Sequence, residues 1–121
     1  MKKIIVFFII ITFASCANEP LNPDRFKQGN FKIPASKGYS ATFITRIDSL
    51  QIEKYDDRID TLTIHWKNNF NYTLKMVHPK NAIDQEPIHV KITNINKESY
   101  DFEAIIGQSN YIQKGTLILP K

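Results

Sequence analysis

Cysteine is almost absent from this chain of 121 residues: Cys16 is the only one. An internal disulfide is therefore excluded, and so is a cysteine-based metal site. Glycine is scarce, with four residues, and none of them builds a phosphate-cradling loop. Histidine occurs three times, as His65, His78 and His89, at no ligand spacing and with no carboxylate placed to complete a metal site. No serine or cysteine carries the local signature of a nucleophile. The pair Asp56-Asp57 stands beside Arg58 in a turn segment, where aspartate is favoured for its own sake. These absences argue against an enzyme, and no cofactor or metal is expected. Long hydrophobic runs are missing too. The longest, Ile4 to Phe13, is ten residues interrupted only by Thr12, while a membrane-spanning helix needs about 20. The formal charge of +4 falls to +2 without Lys2 and Lys3, which gives no reason to expect a nucleic acid as partner.

What is present begins with an address. Met1-Lys2-Lys3 is a basic start, Ile4 to Phe13 is an apolar core of signal-peptide length, and Phe13-Ala14-Ser15-Cys16 follows at once. Two small residues before a cysteine at that position resemble the lipobox of bacterial lipoproteins. The resemblance implies that residues 1–15 are removed and that Cys16 is lipidated, holding the protein to a membrane. Residues 16–25 then form the lipidated cysteine and a short tether containing Pro20 and Pro23. Nine tether residues reach at most about 30 Å. Ala17 rather than aspartate after the cysteine resembles the sorting signal for the outer membrane, facing the periplasm.

Residues 26–121 read as a single β domain. The segment Leu62 to Met76 organises it. Leu62, Ile64 and Trp66 alternate with polar residues, and so do Phe70, Tyr72, Leu74 and Met76. Period-two alternation on both sides of a polar turn is the mark of a half-buried β-hairpin. Keeping both apolar stripes on one face requires Trp66 opposite Phe70 across the loop Lys67-Asn68-Asn69, because a one-residue slip turns a stripe outward. The same rhythm recurs along the chain. Phe31 and Ile33 mark a first strand; Tyr39, Ala41, Phe43, Thr45 and Ile47 line a second, and Leu50 and Ile52 continue that stripe. Ile88, Val90 and Ile92, then Tyr100, Phe102, Ala104 and Ile106, then Tyr111 to Leu119, complete the series. Asn81 to Glu86 has room for one helical turn. The expected fold is all-β: an antiparallel meander of about eight short strands, closed as a small lipocalin-like barrel or folded as a sandwich. Trp66 is expected to be the largest inward side chain, with Phe31, Phe43, Phe70, Tyr72, Met76, Tyr100, Phe102 and Tyr111 also turned inward. Lys75, His65, Lys91, Glu103 and Lys114 on the opposite face exclude a lipid-facing barrel wall.

Arg46, Gln51 and Glu53 fall on one face of the second hairpin if its loop has an even length, opposite Ile47, Leu50 and Ile52. Arg46 then reaches Glu53 diagonally. As a solvent-exposed ion pair this is worth under about 1 kcal/mol. As a recognition patch it is the candidate interaction face.

The pieces Gly29-x-Phe31, Arg46 with Gln51-Ile52-Glu53, and Trp66 with Tyr72-x-Leu74 resemble a family of small lipoproteins of Bacteroidetes and flavobacteria. Members often carry two cysteines, at positions where this chain has Asp24-Arg25-Phe26 and Phe70, so a bridge between them does not carry over. Many members bear the label "DNA topoisomerase IV", which a lipid-anchored β domain without a nucleotide or metal site cannot merit. The family implies no activity. Asp48-Ser49-Leu50 and Asp60-Thr61-Leu62 also resemble the O-glycosylation motif of that phylum, making Ser49 and Thr61 candidate sites.

Two functions follow as expectations. One is a non-enzymatic envelope lipoprotein acting as a protein-interaction or inhibitor-like module, monomeric and docking on an envelope protein. The other is a small barrel that binds an apolar or amphipathic molecule in the periplasm, with Trp66, Phe70 and Tyr72 lining the cavity. Eight short strands leave an interior that bulky side chains can fill, which favours the first. A cavity above about 300 Å³ would favour the second.

Overall fold

A computed structural model of the chain describes residues 23–120. Eight strands run in chain order around a closed antiparallel meander barrel. They are β1 (Gly29–Ile33), β2 (Thr42–Ile47), β3 (Leu50–Tyr55), β4 (Arg58–Asn68), β5 (Asn71–Met76), β6 (Ile88–Ile95), β7 (Ser99–Ile106) and β8 (Ile112–Ile118). Short 3₁₀ turns occupy Pro23–Phe26 and Ile83–Gln85, the second within the stretch expected to hold one helical turn. The barrel, rather than the sandwich, is the architecture, because successive strands pair in order and β1 closes on β8.

The turns follow from residue chemistry. Asp48-Ser49 joins β2 to β3, and Asp56-Asp57 joins β3 to β4, each as a two-residue loop. Asp48 and Asp56 take positive φ, 55° and 52°, which aspartate tolerates better than most residues. The central hairpin departs from its expected register. Trp66 lies opposite Tyr72, Asn68 lies opposite Asn71, and a bulge between Trp66 and Asn68 absorbs the odd residue. The side chain of Asn68 holds the turn by accepting from the Phe70 backbone N–H at 2.8 Å and from the Asn71 amide at 3.0 Å. Both stripes do share a face. Phe70, however, sits in the turn itself and is 48% exposed instead of packing on Trp66.

The second hairpin is turned the other way round from expectation. Ile44 and Arg46 of β2 and Gln51 of β3 are buried, whereas Phe43, Ile47 and Leu50 are exposed on the outer wall. Tyr111, also expected inside, is exposed, as is Tyr39, placed by its sequence on the stripe of Phe43. The apolar alternation of β2 was real, but its stripe faces outward.

The two ends of the barrel differ. At one end, Phe26 is fully buried and packs edge-on against Tyr100, ring centroids 5.0 Å apart, closing the barrel as a floor. Arg25, assigned to the tether by its sequence, donates to the carbonyl of Asn96 and lies over the Phe26 ring. At the other end the loops carrying Tyr39, Ile83 and Tyr111 stand around a mouth. Closure between β1 and β8 rests on one register pair, Lys32 with Ile118, whereas every other neighbouring pair is matched over at least four residues. The mouth is therefore open sideways along this seam. Cys16 lies outside the described residues.

Candidate functional site at the barrel mouth

The lower half of the barrel is filled around one cation. Arg46 is 1% exposed and is the largest fully buried side chain. Its Nε donates to Gln51 Oε1 at 2.7 Å, and its Nη1 donates to the Phe26 carbonyl at 2.7 Å. Its Nη2 donates to the hydroxyls of Tyr72 and Tyr100 at 3.0 and 2.9 Å, and those hydroxyls are 2.6 Å from each other. The guanidinium also faces the rings of Tyr72, Phe31, Trp66 and Tyr100 at 5.0 to 5.9 Å. The planar, five-donor geometry of arginine suits such a crowd of acceptors; the three donors of a lysine would leave some unpaired. Burial works against the Arg46 charge, but the Tyr72 and Tyr100 hydroxyls outweigh it and hold the proton more firmly than usual. Burial, and then the neighbouring Tyr100, pushes the Tyr72 hydroxyl well above the usual tyrosine range, so it remains a neutral partner.

Gln51 hands the chain of bonds on. Its Nε2 donates to Glu53 Oε2 at 2.6 Å. Arg46, Gln51 and Glu53 thus share a face, as the spacing implied, but the face is the inside of the barrel, and Gln51 stands between the two charges. The exposed recognition patch expected there does not exist. The physical reason lies in Tyr72 and Tyr100. Both point inward from β5 and β7, and a buried tyrosine hydroxyl needs a partner. The two hydroxyls bond each other, which leaves acceptor capacity on both, and the Arg46 side of β2 supplies the donors; this outweighs the hydropathy of Phe43 and Ile47. Two inward tyrosines on otherwise apolar stripes were the signal that a polar partner had to come from another strand. Of the residues quoted for the resemblance to small lipoproteins, Phe31, Arg46, Gln51, Glu53, Trp66 and Tyr72 meet in or beside this cluster, and Gly29, Ile52 and Leu74 make none of these contacts.

Above the cluster the interior is not filled. A groove of about 700 Å³ follows the seam, lined on its inner side by Ile33, Thr42, Tyr55, Phe102 and Gly115 and on its outer side by exposed residues of the β1–β2 loop and around the start of β8, Ser36, Tyr39, Tyr111 and Gln113 among them. Gly115 matters here: a Cβ at that position would stand 2.6 Å from Phe102 Cζ, so the glycine lets the Phe102 ring lie flat on β8 and leaves the seam clear. A second cavity of about 320 Å³ adjoins it, lined by Thr42, Glu53, Tyr55, Asp60, Met76 and Ile88 from the barrel, and by Ile83, Asp84 and Glu86 from the loop before β6. Thr42 and Tyr55 line both, so the two form adjacent chambers of one mouth. Arg58 ties the loop to the rim, donating to Asp60 at 2.7 Å and to Asp84 at 3.3 Å. Glu53 stands where the filled floor meets the second chamber. Burial raises its carboxyl above the usual carboxylate range, opposed in part by the Gln51 amide.

Other candidates fall elsewhere. Trp66 stacks on Tyr72 with centroids 4.5 Å apart and packs against the core, so these two help fill the floor and do not line the mouth. Phe70 is on the surface and lines neither chamber. Ser49 is exposed in the β2–β3 turn; Thr61 lies half-buried on the outward side of β4. His65, His78 and His89 are exposed. Comparison of the chain with protein-family models, with curated proteins and with solved structures finds no match.

Proposed function

We propose that this chain is a non-enzymatic, lipid-anchored envelope protein whose barrel binds an amphipathic small molecule in its laterally open mouth. The observation that carries it is the division of the interior. The floor is sealed by Phe26 and packed around Arg46, while the mouth holds concavities of about 700 and 320 Å³ whose walls mix apolar side chains, Ile33, Phe102, Met76 and Ile88 among them, with hydroxyls and, in the smaller one, charged groups. Ligand sites are concave too, with apolar surface to bury the ligand and polar side chains to orient it. A protein-interaction or inhibitor-like role keeps one point of support, the exposed row of Phe43, Ile47 and Leu50 on the outer wall, but the interaction face on which it stood is internal. Membrane attachment through Cys16, on the outer membrane facing the periplasm, belongs to the same proposal. Cys16→Ser should release the protein into the soluble fraction, because acyl chains supply the hold; retention on membranes through a high-salt wash would exclude the anchor.

The mouth is tested by filling it. Thr42 lies between the chambers, half-buried, at the end of β2. The wild-type domain should give saturable enhancement of N-phenyl-1-naphthylamine fluorescence. Thr42→Trp should weaken that binding at least about tenfold, or about 1.4 kcal/mol, with the circular dichroism of the barrel preserved. Absence of saturable binding, or equal binding by the variant, would contradict the proposal.

A further inference from the structure

Resting on the mouth as the ligand site, we infer that the chamber over Glu53 receives a protonated amine, and that the ligand is therefore a cationic amphiphile. Glu53 Oε2 is engaged by Gln51, while Oε1 meets no donor among the described residues. An ionised carboxylate is an acceptor only, and this oxygen is not sealed in the core, so it is available to a donor entering the chamber. The electrostatics of the chamber point the same way. Four carboxylates line it, those of Glu53, Asp60, Asp84 and Glu86, against the single guanidinium of Arg58. Arg58 makes its ion pairs with Asp60 and Asp84 and acts on Glu53 only at longer range, so neither Glu53 nor Glu86 has a direct ion pair with it. The buried cation below, Arg46, reaches Glu53 only through the amide of Gln51. An ammonium group entering the chamber would meet a carboxylate in a setting where water competes weakly and charge-assisted hydrogen bonds are strong.

The remainder of the chamber suits an apolar stem. Met76, Ile88 and Ile106 stand along its wall. The adjoining chamber is different in kind: its lining contains one cation, Lys114, no carboxylate, and the rings of Tyr39, Tyr55 and Tyr111. A ligand with its amine on Glu53 and its chain lying along the seam would use both. Burial, with Asp60 beside it, raises the proton affinity of Glu53 in spite of Gln51, Arg46 and Arg58.

The experiment compares three twelve-carbon amphiphiles below their micellar concentrations: dodecylammonium, dodecyl sulfate and uncharged dodecyl maltoside. Each is titrated against the naphthylamine probe on the intact mature domain. Dodecylammonium should displace the probe at a concentration at least about tenfold lower than the other two, equivalent to about 1.4 kcal/mol. In Glu53→Gln, whose new amide oxygen can still accept from Gln51, the ratio of ammonium to maltoside affinity should collapse toward one. Glu86→Gln, exposed at the rim, should lower the ratio by a smaller factor, and it supplies the comparison if Glu53→Gln fails to fold. Equal displacement by all three amphiphiles, or a preference for the sulfate, would overturn the cationic ligand while leaving the mouth as a binding site. Failure of every amphiphile and of the probe to bind would overturn both.

Discussion

Arg46→Ala should destabilise the domain by about 3–5 kcal/mol, the usual cost of removing one partner from a buried charged network. Four hydrogen bonds from the guanidinium are lost at once, and their acceptors are inside the barrel. The Tyr72 and Tyr100 hydroxyls retain each other, but the Phe26 carbonyl and Gln51 Oε1 are left without a donor. Each such unsatisfied buried group costs about 1–3 kcal/mol. Glu53 also loses the nearest cation of its interior chain. Against a total stability of about 5–15 kcal/mol for a domain, the variant should be near or past the edge of folding. Arg46→Lys should lie between the two, since an ammonium keeps the charge but has fewer donors for the same acceptors. Urea unfolding followed by circular dichroism measures the series. A loss below about 1 kcal/mol for Arg46→Ala is what an exposed ion pair would give, and it would show that Arg46 does not hold the floor.

Phe26→Ala should cost a similar amount, about 3–5 kcal/mol for a buried phenylalanine. Phe26 is fully buried, tilts against Phe31 with centroids 5.9 Å apart, and meets Tyr100 edge-on. Its backbone carbonyl is the acceptor for Arg46 Nη1. Removing the ring therefore empties the floor and loosens the turn that presents the carbonyl. The effect should exceed that of Phe70→Ala in the exposed hairpin turn, which is expected within about 0.5 kcal/mol of wild type because the residue makes no buried contact of this kind. Equal losses at the two positions would mean that Pro23–Phe26 is no part of the folded barrel.

Much of this fold is legible in the residues. The alternation along Leu62 to Met76, Ile88 to Ile92 and Tyr100 to Ala104 places those strands and their inward faces correctly. The short Asp48-Ser49 and Asp56-Asp57 turns make neighbours of successive strands, and a meander with no unpaired partner left over closes. The register of the central hairpin was less legible. Parity required an odd loop between Trp66 and its partner, but a bulge satisfies parity as well as a three-residue loop does, and Asn68 can anchor either. The candidate site was the least legible. Hydropathy alone assigns Phe43, Ile47 and Leu50 to the interior, because alternation does not say which face is inside. The decision belongs to Tyr72 and Tyr100, 26 and 54 residues beyond Arg46 in sequence, whose paired hydroxyls both accept from its guanidinium across the barrel. Unfilled space cannot be read from residue volumes when the bulky side chains, Phe43, Phe70 and Tyr111 among them, turn out to lie outside.

The central claim is that one barrel has a sealed floor and a receptive mouth. Methyl-resolved nuclear magnetic resonance of the mature domain during titration with dodecylammonium tests it most directly. Saturable shifts should appear at Ile33, Met76, Ile88 and Ile106, which line the mouth. Leu62, Ile64 and Leu117 of the packed core should stay nearly still. Shifts confined instead to Ile47, Leu50 and Ile59 on the outer wall would place the ligand on the surface and contradict the account.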